Sequence, residues 1–212
     1  ITVDGGQLGP KSGDTLTLNG PVTIAQGTLG HQGAITLSNT LAISANADAT
    51  IKGAEFNSSG TISLVNSATL DIKSDTFNNT GTLDITGSTL TINGGVGTFT
   101  NNTTMNFNSD NDDSSFFNGV LINSASQTIT ISDDTTLNLQ GTNNANHGTM
   151  NFGTNNSTLE LNGGKFSNNG SMEINGVTLT VKSDTAGATF TNASGQTISG
   201  TGTLDTSDTD VT

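Results

Sequence analysis

Phe77-Asn-Asn-Thr-Gly81-Thr-Leu-Asp-Ile85-Thr-Gly-Ser-Thr-Leu90-Thr-Ile92 carries an aromatic anchor, a polar turn ending in glycine, and two bursts whose apolar residues stand two apart. Alternation with a period of two marks half-buried strands. The stretch recurs. Phe56-Asn-Ser-Ser-Gly60-Thr-Ile-Ser-Leu64 precedes it, Phe99-Thr-Asn-Asn-Thr103-Thr-Met-Asn-Phe107 follows, and Phe166-Ser-Asn-Asn-Gly170-Ser-Met-Glu-Ile174 returns later. In every copy the next apolar residues lie 6 and 8 places after the anchor. A second apolar pair follows, as in Leu70/Ile72, Leu90/Ile92, Leu159/Leu161 and Leu179/Val181.

Working outward, the anchors stand at positions 56, 77 and 99, and Asn144 replaces the aromatic one such interval before Phe166. A recurrence this regular is the signature of a repeat architecture. Leu29, followed by Gly33, Ile35 and Leu37, leads a copy at a longer interval before Phe56, with Leu41/Ile43 as its second pair. Phe190 opens a looser last copy, again at a longer interval after Phe166. The stretch from Phe99 to Asn144 holds two units, the intermediate one irregular because Phe116 and Phe117 come early, with Ile129/Ile131 and Leu137/Leu139 as its two pairs. Counting the bursts Ile1/Val3, Leu16/Leu18 and Val22/Ile24 as a first unit gives roughly nine coils of about 21–27 residues.

A unit this short cannot bury its own apolar face, and stacking solves that problem. The expected fold is all-β: a right-handed parallel β-helix, or β-solenoid, in which each strand pairs with its equivalent one coil away. Residues 1–212 then form one domain, with 1–28 as an irregular first coil, 29–212 as repeat coils, and irregularity around 108–127. Propeller blades run about 40 residues, and a hexapeptide helix needs an apolar residue every six positions. Neither fits.

Phe56, Phe77, Phe99, Phe166 and Phe190 are expected to stack as like on like in the core. Two places after Phe77, Phe99, Asn144, Phe166 and Phe190 stand Asn79, Asn101, Asn146, Asn168 and Asn192, the expected members of a structural amide ladder at one corner.

Composition excludes several function classes. The chain has 212 residues, 5 lysine-plus-arginine against 18 acidic residues, a formal charge of −13, no cysteine, and 30% hydrophobic residues. All the cations are lysines: Lys11, Lys52, Lys73, Lys165 and Lys182. Such a surface repels nucleic-acid phosphates, so no nucleic-acid partner is expected. No run is long and apolar enough for membrane insertion by this segment. Without cysteine there is neither a disulfide framework nor a thiolate metal site.

The Phe77–Ile92 unit and the closing Phe190-Thr-Asn-Ala-Ser-Gly-Gln-Thr-Ile-Ser-Gly-Thr-Gly-Thr-Leu204 resemble the β-helical passenger repeats of bacterial autotransporters and filamentous-haemagglutinin-like adhesins. The similarity is periodic and compositional, and runs from about Gly27 to Asp205. It implies a non-catalytic structural or adhesive rod, secreted or on the bacterial cell surface, serving as stalk, filament or adhesin. Its expected partners are host or neighbouring-cell surface glycans or proteins, or further copies joined end to end. The chain opens at Ile1 without an initiator methionine, so a piece or processed form of a larger protein is expected.

β-Helices also carry pectin-degrading enzymes and phage tailspikes, which makes a carbohydrate-active β-helix the alternative. Asn146-His-Gly148 is similar to the Gly-His-Gly of the hydrolases, and His31 occupies nearly the same place in its own repeat. The enzymes' arginine is missing, however. Seven places after the anchors stand Ser63, Asp84, Asn106, Asn151 and Glu173, so the acids of that column are separated by amides. No catalytic residue and no cofactor is expected. Asp110-Asn-Asp-Asp113 supports two readings: a solvated acidic loop, or a weak calcium site of Asp110, Asp112 and Asp113 with backbone carbonyls. The segment Asp110 to Asn123 is the expected place for a contact loop.

Overall fold

The computed structural model describes the chain except residues 93–97, 109–113, 133, 154–156, 163, 183–187, 207–209 and 212, and except the side chains of residues 114, 116, 210 and 211. Asp110, Asp112 and Asp113, at the start of the expected contact loop, therefore lie outside the described residues, whereas Ser114–Phe117 and Val120–Asn123 of that segment are strands.

The fold is all-β, with short strands stacked as a parallel β-solenoid of about 8 turns. Every described strand pairing is parallel, and each strand pairs with the strand that occupies its place one coil away. Three faces result. The first contains Ala34–Leu37, the end of Asp48–Ser58, the end of Thr69–Asn79, Thr98–Asn101, Val120–Asn123, Asn144–Asn146, Lys165–Asn168 and Thr189–Asn192. The second contains Leu41–Ile43, Ile62–Val65, Leu83–Thr86, Met105–Asn108, Thr128–Ser132, Thr149–Gly153 and Ser171–Asn175. The third runs through the starts of the two long strands, then Thr89–Ile92, Ser114–Phe117, Thr136–Leu139, Ser157–Glu160 and Thr178–Lys182.

The alternation is visible in burial. Along Leu83–Thr86, Leu83 and Ile85 point inward while Asp84 and Thr86 are half-buried on the outside. Stacking makes this pattern favourable: an inward Leu or Ile lies under its equivalent, and the coils above and below shield even the outward side chains. The core is one continuous column of Leu, Ile, Val, Phe and Met. A column this narrow needs few apolar residues per coil, which reconciles an ordered fold with 30% hydrophobic content.

The register corrects one alignment. Leu29 pairs with Ile51, and it is Ile35 that lies under Phe56 and Leu41 that lies under Ile62. The copy expected to begin at Leu29 is thus one face out of phase, and the long interval from 29 to 56 becomes an ordinary one, from 35 to 56. A gap of six then eight also occurs between neighbouring faces, so spacing alone cannot tell one face from the next without an aromatic anchor. The N-terminal stretch is already paired: Val3 lies against Ile24 and Leu16 against Ile35. Its first strand slips register at Val3/Asp4 and again at Asp4/Gln7.

Candidate functional site

Two corners carry most of the polar chemistry. The corner from the first face to the second is built on asparagine. Asn101 Nδ2 donates to Asn123 Oδ1 (2.9 Å), Asn123 to Asn146 (2.8 Å), Asn146 to Asn168 (2.8 Å) and Asn168 to Asn192 (2.7 Å). Each amide also bonds the backbone of its own corner, as when Asn101 Nδ2 donates to Thr103 O at 2.8 Å and Asn168 Nδ2 to Gly170 O at 3.2 Å. Asn101, Asn123, Asn146 and Asn168 are buried, and a buried amide is favourable only when its donors and acceptor are used.

The sequence-based set lacks Asn123. Its anchor is the aliphatic Leu121, in register with Phe99, and Asn123 itself is in register with Asn101. Asn79 departs from expectation the other way. It shares the register of Asn101, but its Nδ2 donates to Gly81 O (2.6 Å), and Oδ1 of both Asn79 and Asn101 has no hydrogen-bond partner among the described residues. The hydrogen-bonded ladder therefore runs from Asn101 to Asn192, with Asn79 below it.

Glycine lets this corner close. A Cβ on Gly81 would stand 1.9 Å from Gly60 O, and one on Gly170 would stand 2.2 Å from Gly148 O. The glycine four places after the anchor marks a close approach between successive corners.

Beside this corner, Phe56, Phe77 and Phe99 stack with centroids 4.9 and 4.8 Å apart, and Phe166 and Phe190 stack at 5.6 Å. Leu121 and Asn144 separate the two groups on the first face. Phe117, in register with Leu139 on the third face, leans against Phe99 at 5.7 Å and meets Phe107 edge-on at 6.3 Å. Buried Asn144 is fully used: Leu121 N donates to its Oδ1 (2.8 Å), and its Nδ2 donates to Gly141 O (2.6 Å) and Lys165 O (3.2 Å).

The corner from the third face to the first is open. Two clefts lie on it, one of about 240 Å³ lined by His31, Gln32, Lys52, Lys73 and Asp75 over Gly53 and Ala54. The other, about 310 Å³, is lined by uncharged residues including Asn118, Gln140, Thr142 and Asn143 around Gly119 and Gly141.

The two histidines are not equivalent. His31 follows the strand Val22–Gly30 at the open corner, whereas His147 follows Asn144–Asn146 at the asparagine corner. Nor do the outward acids of the second face meet. Asp84, Asn106, Thr130, Asn151 and Glu173 follow one another in register, so Asp84 and Glu173 are four coils apart, roughly 19 Å at the usual strand spacing. Paired carboxylates of glycosidases stand about 5–9.5 Å apart. Among the described residues, no group of three or more His, Cys, Asp or Glu is placed to hold a metal ion, and no helix is long and apolar enough to cross a membrane.

Comparison with protein-family models, with curated proteins and with solved structures returns no match.

Proposed function

We propose that this chain is a non-catalytic, extracellular structural and adhesive rod of a bacterial surface or matrix protein. The observation that carries the reading is how the buried polar side chains are used. Asn101 through Asn192 spend their amides on one another and on the corner backbone, which makes them elements of stiffness. In a solenoid each coil contacts only its neighbours, so such a ladder ties several coils into one mechanical unit. The outward Thr, Asn and Asp columns keep the rod hydrated, and the charge of −13 opposes lateral clumping.

An antibody raised against the folded chain should label intact producing cells, and deleting the coding segment should lower their attachment to surfaces or to other cells. Labelling that appears only after the envelope is permeabilised would overturn the extracellular placement. Unchanged attachment would overturn the adhesive role.

A further inference from the structure

The cleft over Gly53 and Ala54 exists because small residues of one coil lie between large residues of its neighbours. His31 and Gln32 wall it from the coil below, Lys73 and Asp75 from the coil above, and Lys52 stands at its side. Beside it, Gly30 is in register with Lys52 and lets the two coils approach closely. No alanine fits there: a Cβ on Gly30 would lie 1.9 Å from Lys52 O, and its φ is +103°.

Charge sets this cleft apart. In a chain with 5 lysines against 18 acidic residues, Lys52 and Lys73 stand in register one coil apart. Lys11 belongs to the coil beneath, where Gln32 N donates to Pro10 O (3.3 Å). Three lysines and His31 thus share one corner over successive coils. Like charges in register repel, and the protein answers this only in part. Lys73 pairs with Asp71 at 2.9 Å, while Lys52 has no ion pair among the described residues.

We infer that the cleft binds a uronic-acid unit of an acidic polysaccharide. The Lys52 ammonium would take the carboxylate in a charge-assisted hydrogen bond. Gln32, His31 and Asp75 supply the donors and acceptors that sugar hydroxyls require. At about 240 Å³ the space falls below the roughly 300–1,000 Å³ of pockets for drug-sized ligands, which suits a single sugar ring. Asp75 and Asp71 beside the lysines, within an overall charge of −13, disfavour a bare polyanion such as nucleic acid or polyphosphate. The ligand must offer hydroxyls to the carboxylate as well as an anion to the ammonium. This deepens the adhesive reading and rests on it.

The test is a titration of the purified protein, by calorimetry or amide chemical shifts, with an oligomer of galacturonic acid, the matching uncharged galactose oligomer, and inorganic sulfate. The uronate oligomer should bind. Lys52→Gln should weaken it about tenfold, the scale of one lost charge-assisted hydrogen bond. Lys165→Gln, away from the cleft, should leave it unchanged. Equal binding of the galactose oligomer, equal loss with both variants, or displacement of the uronate by an equal concentration of sulfate would each overturn the assignment. So would no uronate binding at all. If the titration fails while surface labelling and attachment behave as proposed above, only the ligand assignment falls.

Discussion

The asparagine corner and the open corner flank the same face of the same coils, yet the chain treats them differently. From Ser58 to Ile62, Asn79 to Leu83, Asn101 to Met105, Asn146 to Met150 and Asn168 to Met172, the step from the last inward residue of the first face to the first of the second is 4 positions. Across the open corner the corresponding steps are 5 from Ile51 to Phe56, 7 from Ile92 to Phe99, 4 from Phe117 to Leu121 and 9 from Val181 to Phe190. A corner whose side chains bond from coil to coil has its length set by the strand spacing. The open corner, where no side-chain ladder runs from coil to coil among the described residues, varies in length, and both clefts lie there.

The two exceptions at the asparagine corner support this. Asn123 to Ile129 and Asn192 to Ile198 are 6 positions, two longer than the rule. Both form the same turn, Gln127 N to Ser124 O (3.1 Å) and Gln196 N to Ala193 O (2.9 Å). In both, the ladder amide still bonds the corner backbone, Asn123 to Gln127 O and Asn192 to Gln196 O, at 3.2 and 3.1 Å. The two extra residues are accommodated in a closed turn that leaves the ladder untouched.

Inserting one alanine between Asn169 and Gly170 attacks that rule directly. Asn169 N donates to Asn146 O (2.7 Å) and Ser171 N to Gly148 O (2.9 Å), so one added residue cannot keep both. Continuing the strand one residue out of register would turn Met172 and Ile174 outward. The expected cost exceeds about 4 kcal/mol, and hydrogen exchange should show protection lost from Ser171 onward. Protection retained in those coils would show that the corner is not length-restricted.

A smaller loss follows from emptying one rung. Asn146 donates to Asn168 Oδ1 and Ser171 O, and it accepts from Asn123 Nδ2 and Gly148 N. Asn146→Ala leaves several of these buried groups unpaired, for an expected cost of about 3 kcal/mol in urea unfolding. Asn79→Ser should cost about 1 kcal/mol, because Asn79 makes only its bond to Gly81 and serine already occupies the place one coil below, at Ser58. Equal losses at the two sites would mean that bonding between coils contributes nothing beyond local capping.

Much of this difference is legible in the sequence, for a physical reason. Phe77 and Asn79 recur as Phe99 and Asn101 because like side chains stack at one coil's spacing, so the packing writes itself into the chain at the interval of one coil. Asn123 escapes because Leu121 has no aromatic ring and the corner after Asn123 is two residues longer. The signal is nonetheless present, since Asn123 falls one coil's interval after Asn101 and one before Asn146. Leu29 is misaligned by sequence because neighbouring faces repeat the same apolar spacing. The clefts are not legible at all. They depend on which small residue of one coil falls between which large residues of the next, and an open corner of variable length hides that alignment until the register is known. Lys52 lies over Gly30 for this reason, a pairing that no motif announces.

The smallest expected effect belongs to the open corner and is the complement of the first test. Thr142 and Asn143 are exposed between Thr136–Leu139 and Asn144–Asn146. Two glycines inserted between them leave in place the bonds that hold the coil on either side, Gln140 N to Phe117 O (2.9 Å) and Leu121 N to Asn144 Oδ1 (2.8 Å). Lengthening an exposed connection costs mainly loop-closure entropy, which grows only with the logarithm of its length. The expected change is under about 1 kcal/mol, read as a nearly unchanged urea midpoint with the same slope. A loss as large as that of the one-residue insertion at Gly170 would erase the distinction between the corners. It would then place the constraint in the coil as a whole, with the variable lengths of the open corner each matched to its own neighbours.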